Sequence, residues 1–173
     1  MQGTLRLLQL LAIVAWVGGL IFFVFLAPTA FATYPTVHEA GLIVGAALRV
    51  LHQIGLTCGA VFLVATGLLF RRAPHRIRGR YEMEFLLAAL MLLATAYLQF
   101  NVLPAMDRDR QRAQGDITSV PEQHPARVHF DMLHKRSERV EGVVLLLGLG
   151  VVFLMSREHA PLTGIEPTVQ EPA

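Results

Sequence analysis

The sequence predicts an all-α fold, a polytopic membrane four-helix bundle with an extended extramembrane end on its third and fourth helices. Two observations carry that prediction. Hydrophobic residues make up 54% of the 173 and charged residues 16%, against roughly 45–50% and about 25% in soluble domains; the mean hydropathy is +0.50. The apolar residues are also gathered into four long stretches rather than alternating with polar ones. The same figures exclude other classes. A net charge of +2 sets up no strong field for nucleic acid. The single cysteine, Cys58, excludes an internal disulfide and a cysteine-based metal cluster.

A membrane-crossing helix needs ~20 mostly apolar residues. The first span, about 5–33, contains an uncharged run from Leu7 to Ala32. The "AFA" at 30–32 resembles a signal cleavage site, but the run exceeds the ~7–15 apolar residues of a signal peptide, so it reads as a retained helix. Pro28 removes a backbone donor and predicts a bend. The second span, about 40–70, is uncharged from Val50 to Phe70, and the third, about 82–104, from Phe85 to Leu103. The fourth, about 138–156, is apolar apart from Glu138, Arg139 and Glu141 near its start.

Between spans two and three, "RRAPHRIRGR" carries five arginines and no acid, whereas "TYPTVHEAG" between spans one and two has no Lys or Arg. The positive-inside rule places the arginine loop in the cytoplasm. Both termini then lie inside, in a bacterial inner membrane. Residues 105–127 form an outer polar segment, in which Asp107 to Arg112 is predicted to continue span three as a solvated helix. Gly115 to Pro121 reads as a break, and Pro125 suits the first turn of a new helix. That helix can run unbroken to Ser156, which leaves about two to three turns outside a ~30 Å hydrocarbon core. Residues 157–173 read as a disordered tail.

Gly41 and Gly45, and Gly55 and Gly59, stand at the small-xxx-small spacing that lets helices approach closely in lipid. The polar residues within the spans are more informative. Gln9 and Trp16 share a face of span one. Arg49 and His52 share a face of span two. Asn101 ends span three, with Arg108 beyond it. His134, Ser137 and Glu141 fall at i, i+3 and i+7 on the fourth helix, with Glu138 one turn from His134. The topology puts all but Gln9 at the outer end, so Arg49, His52, Asn101, Arg108, His134, Ser137 and Glu141 form the candidate polar cluster. Arg49, His52 and Glu141 are expected to approach one another. Intramembrane ionisable groups pair or mark a pathway; a structural ion-pair network and a ligand or ion site both remain open. No catalytic constellation and no phosphate-binding glycine pattern is present, so no catalytic residue, metal or cofactor is assigned.

"LRLLQLLAIVAWVGGLIFFVFLAPTAF", "LRVLHQIGLTCG", "AYLQFNVLPAMDRDR" and "FDMLHKRSERVEGVVLLLGL" together resemble domain-of-unknown-function family 4149, relatives of transmembrane protein 205. The resemblance covers roughly residues 4–156. It implies a four-helix integral membrane protein without an established activity and points to Trp16, Gly18, Gly19, Pro28, His52, Asn101, Pro104, Arg108, Phe130, His134 and Ser137. The animal relatives' association with platinum resistance hints at metal handling. The first span is also similar to copper-resistance D-type and four-helix protoporphyrinogen-oxidase proteins, but Gln9 stands where those have a histidine. The expected role is small-solute or metal-ion handling, or an accessory subunit of a membrane complex or homo-oligomer, rather than catalysis. The alternative is a haem-binding redox protein using His52 and His134.

Overall fold

The computed structural model describes residues 2–157. The remainder of the tail expected to be disordered lies outside the described residues. Five helices follow in order: α1 (Gln2–Thr33), α2 (Val37–Arg72), α3 (His75–Tyr97), α4 (Leu103–Arg112) and α5 (Pro125–Ser156). A π-helical turn, Leu98–Val102, joins α3 to α4, so the two make one 38-residue rod from His75 to Arg112. Four helical rods are therefore long and apolar enough to cross a membrane, and the chain is an all-α, multi-pass four-helix membrane bundle. Each rod exceeds the apolar stretch that marks it in the sequence, because polar turns continue the helix beyond the hydrocarbon.

Local chemistry sets the ends. Thr36 caps α2, its Oγ1 accepting from the Glu39 N–H at 3.2 Å. Pro125 occupies the first turn of α5, where a missing N–H costs nothing, and His124 Nδ1 accepts from the Ala126 N–H at 3.2 Å. The α4–α5 loop is only 113–124, since Asp107 to Arg112 are helical. It turns through Gln114 and Gly115, with φ of 55° and 98°, the left-handed region that glycine enters without a Cβ penalty. Beyond the turn, Asp116 is held below the usual carboxylate range, first by the Thr118 hydroxyl, then by the Thr118 N–H, with His38 adding to the effect.

The rods form a ring in the order α1, α2, α3–α4, α5, each packed on its neighbours. Between lipid tails and apolar side chains there is little transfer energy to gain, so association rests on close contact. Trp16 is 1% exposed and lies against α2 where Gly55 and Gly59 leave room. A Cβ on Gly55 would meet its Nε1 at 2.5 Å, and one on Gly59 would meet its ring at 2.7 Å. Gly148 admits Val17 and Met91 in the same way. Leu11, Phe22, Phe25 and Leu146 point outward, as lipid-facing positions should. Past the π turn a second apolar core, including Val102, Met106, Ile117 and Phe130, fastens α4 and the loop to α5. Asp109, fully buried, ties this end together through His129 Nδ1 at 2.6 Å and Arg112 Nη1 at 3.0 Å.

Gly59→Leu should overpack the Trp16 seat and destabilise the bundle by about 1–3 kcal/mol. Gly67→Leu, whose Cβ meets nothing within 4 Å, controls for the helix itself. Thermal melting in detergent micelles distinguishes them; equal melting temperatures would show that the Trp16 contact is not limiting.

Candidate functional site

Two buried polar clusters lie at opposite ends of the bundle. At the arginine-loop end, Gln9 Nε2 donates to Thr66 Oγ1 at 2.9 Å and to Glu84 Oε2 at 3.0 Å. Arg80 Nε donates to Glu84 Oε1 at 2.9 Å, and Thr66 Oγ1 donates to the Phe62 carbonyl at 2.8 Å. Glu84 and Thr66 have no exposed surface. The cluster joins α1, α2 and α3, and its members satisfy one another as a low-dielectric site requires.

At the other end, His52 is 1% exposed. Its Nε2 contacts Glu141 Oε1 from across the ring, and its Nδ1 lies 3.2 Å from Gln99 Oε1 in the π turn. Which atoms donate depends on the ring tautomer and on the orientation of the Gln99 amide. One turn earlier on α2, Arg49 Nη2 contacts both carboxylate oxygens of Asp107 at 2.6 Å. Arg110 lies 3.8 Å from the same carboxylate, donates to the Gly41 carbonyl at 3.3 Å, and covers the Phe130 ring at 5.1 Å.

Arg49, Asp107, Arg110 and Glu141 border a cavity of about 740 Å³ between α1, α2, α4 and α5. Leu20, Phe23, Ala27 and Phe31 of α1 form its apolar wall; Arg49, Asp107 and Arg110 form one polar wall; His134, Glu138 and Glu141 of α5 form another. It exists because α1 touches α5 along a much shorter stretch than it touches α2.

Of the residues singled out from the sequence, Arg49, His134, Ser137 and Glu141 line this cavity, and His52 sits behind Glu141. Ser137 is buried, its hydroxyl donating to the His134 carbonyl at 2.8 Å. His134 Nε2 is 3.3 Å from Glu138. Arg49 does not pair with Glu141: Asp107 takes Arg49 and His52 takes Glu141. Asn101 and Arg108 are corrections to the expected cluster, since both are exposed and off the cavity wall. The π turn is the reason. Its i→i+5 pattern changes the register of the rod, so that Gln99 and Asp107, not Asn101 and Arg108, face α2. Gln99, Asp107, Arg110 and Glu84 were not read from the sequence as site residues; the unexplained Gln9 in span one was the one signal for Glu84.

The donor set also bears on metals. Among the described residues no group of three or more His, Cys, Asp or Glu converges to hold an ion. Both nitrogens of His52 are engaged, whereas His134 is held through Nε2 alone, 3.3 Å from Glu138.

The fold and these clusters define a polytopic α-helical membrane protein with a ligand-sized cavity walled on one side by ionisable groups. Residues 11–114 match the family described as Domain of unknown function (DUF4149), and the chain belongs to that family. No curated protein and no solved structure gives a significant match.

Removing the Glu141 carboxylate leaves His52 buried without its partner. Glu141→Ala should cost about 3–5 kcal/mol, the range for breaking a buried pair. Arg49 and Asp107 are each about one-third exposed, so Arg49→Ala should cost no more than about 1 kcal/mol. Detergent melts rank the two; the reverse order would place the structural weight on Arg49.

Proposed function

We propose that this chain is a small-solute-binding protein of the bacterial inner membrane, with cytoplasmic termini and its cavity toward the outer face. The cavity carries the proposal. Its volume of about 740 Å³ falls within the ~300–1,000 Å³ of small-molecule sites, which are largely apolar with a few placed polar groups. Here α1 supplies the apolar wall, and α2, α4 and α5 supply the polar ones. An amphipathic solute suits such walls better than a bare metal ion, which needs converging ligands. The same cavity serves a solitary binder or the solute-holding subunit of a larger membrane complex. The orientation is supported by Arg71, Arg72, Arg76, Arg78 and Arg80 in the α2–α3 connection and its flanks.

Protein purified in lipid nanodiscs should release a small molecule bound one-to-one in native mass spectra. Ala27→Trp, which fills the cavity from α1, should lack it. Identical spectra without bound solute from both proteins would defeat the reading. For orientation, alkaline phosphatase fused after Arg157 should be inactive in whole cells; activity would invert the topology.

A further inference from the structure

We infer that the solute is a lipophilic cation, an amine or onium centre on an apolar body. The inference rests on reading the cavity as a solute site and adds the charge of its occupant.

The charges lining the cavity are unequally committed. Every arginine in the wall has a partner. Arg49 is held by both oxygens of Asp107 at 2.6 Å. Arg110 is divided among the Gly41 carbonyl, the Phe130 ring and Asp107. Arg127 donates to the Val120 carbonyl at 2.9 Å and pairs with Glu122 at 3.7 Å. The carboxylates of α5 are not neutralised in this way. Asp131, His134, Glu138 and Glu141 recur at i, i+3, i+7 and i+10, which puts all four on one face, and all four line the cavity. Among the described residues no arginine or lysine pairs with Asp131, Glu138 or Glu141. Glu138 has only His134, at 3.3 Å. Glu141 meets His52 through Oε1 and borders the cavity.

An anion entering here would find no uncommitted guanidinium and a row of carboxylates. A cation would find that row met by imidazoles but by no arginine or lysine among the described residues, deepening from the exposed Asp131 to Glu141, which is 16% exposed at the start of the apolar part of α5. An attraction there is screened less than at the surface. The opposite wall completes the match. Phe23 and Phe31 of α1 line the cavity and offer aromatic faces, which attract desolvated cations, while Leu20 and Ala27 suit an apolar body.

Tetraphenylphosphonium and tetraphenylborate have nearly the same size and shape and opposite charge. Equilibrium dialysis of each against the full chain in zwitterionic nanodiscs, corrected with empty discs, tests the inference. Saturable one-to-one phosphonium binding, at least about tenfold tighter than borate, is expected. Glu141→Gln should weaken phosphonium binding about tenfold and leave borate unchanged. Should Glu141→Gln fail to fold, Glu138→Gln, at a position 63% exposed, should show the same selective loss to a smaller degree. Borate binding as tight as phosphonium, blocked by Ala27→Trp, would overturn the cationic assignment while upholding the solute cavity. Saturable binding of neither probe would overturn the cationic assignment as well, and the native mass spectra would then judge the cavity independently.

Discussion

A buried polar group in a bilayer must find its partner within the protein, because no water is present to supply one. Much of the bundle's arrangement follows from that constraint. The four rods form a ring, and each polar cluster spans one of its diagonals. His52 on α2 reaches Glu141 on α5 across the loop end. Gln9 on α1 reaches Glu84 on α3 across the arginine end. Ring neighbours are held by packing along their lengths; opposite rods are held by hydrogen bonds at two depths. Removing either diagonal would take one hydrogen-bond partner from a buried carboxylate or imidazole, so each cluster helps to fix the rotation of its helices as well as their proximity.

Trp16 lies between the two diagonals. Its ring fills the space that Gly55 and Gly59 leave on α2, and Phe62, Met91 and Val144 complete an apolar layer at that depth. The two polar clusters therefore do not communicate through a continuous polar path in this arrangement. The layer also ends the cavity, which begins near Leu20, one turn beyond Trp16 on α1. Toward the loop end the rods are held apart by their connections: α4 packs on α5 through the second apolar core, and α1 continues along α2. The space enclosed by α1, α2, α4 and α5 is the cavity.

The spans, the long α5 and the start of α5 at Pro125 were legible in the sequence, because each depends on local composition and on the missing N–H of proline. That His52, Arg49 and Glu141 share one end of the bundle was legible too, since position along a rod follows from counting residues. Their pairing was not. Arg49 and Glu141 have the right depth and charge to meet, yet Asp107 and His52 are the partners, because pairing depends on how each rod is rotated. On the third rod that rotation is set by the Leu98–Val102 π turn, and "LQFNVLP" gives no composition signal for one. A regular α-helix does not specify the register that brings Gln99 and Asp107 to α2 and turns Asn101 and Arg108 away. Gln9 was legible only as an anomaly. Its explanation required knowing that Thr66 and Glu84, 57 and 75 residues away in sequence, lie at the same depth.

The two clusters differ in exposure. Glu84 receives hydrogen bonds from α1 and α3 and is fully buried, whereas the loop-end groups border the cavity. At the loop end the ionisable groups outnumber the partnerships available to them. Asp107 takes Arg49 and draws Arg110 close, His52 takes one oxygen of Glu141, and the stripe on α5 continues outward past Glu138 to Asp131 without an arginine to meet it. Asp131 and Glu138 are exposed and keep their solvation, whereas Glu141 is mostly buried beside the apolar surface of α1, where a charge is screened least.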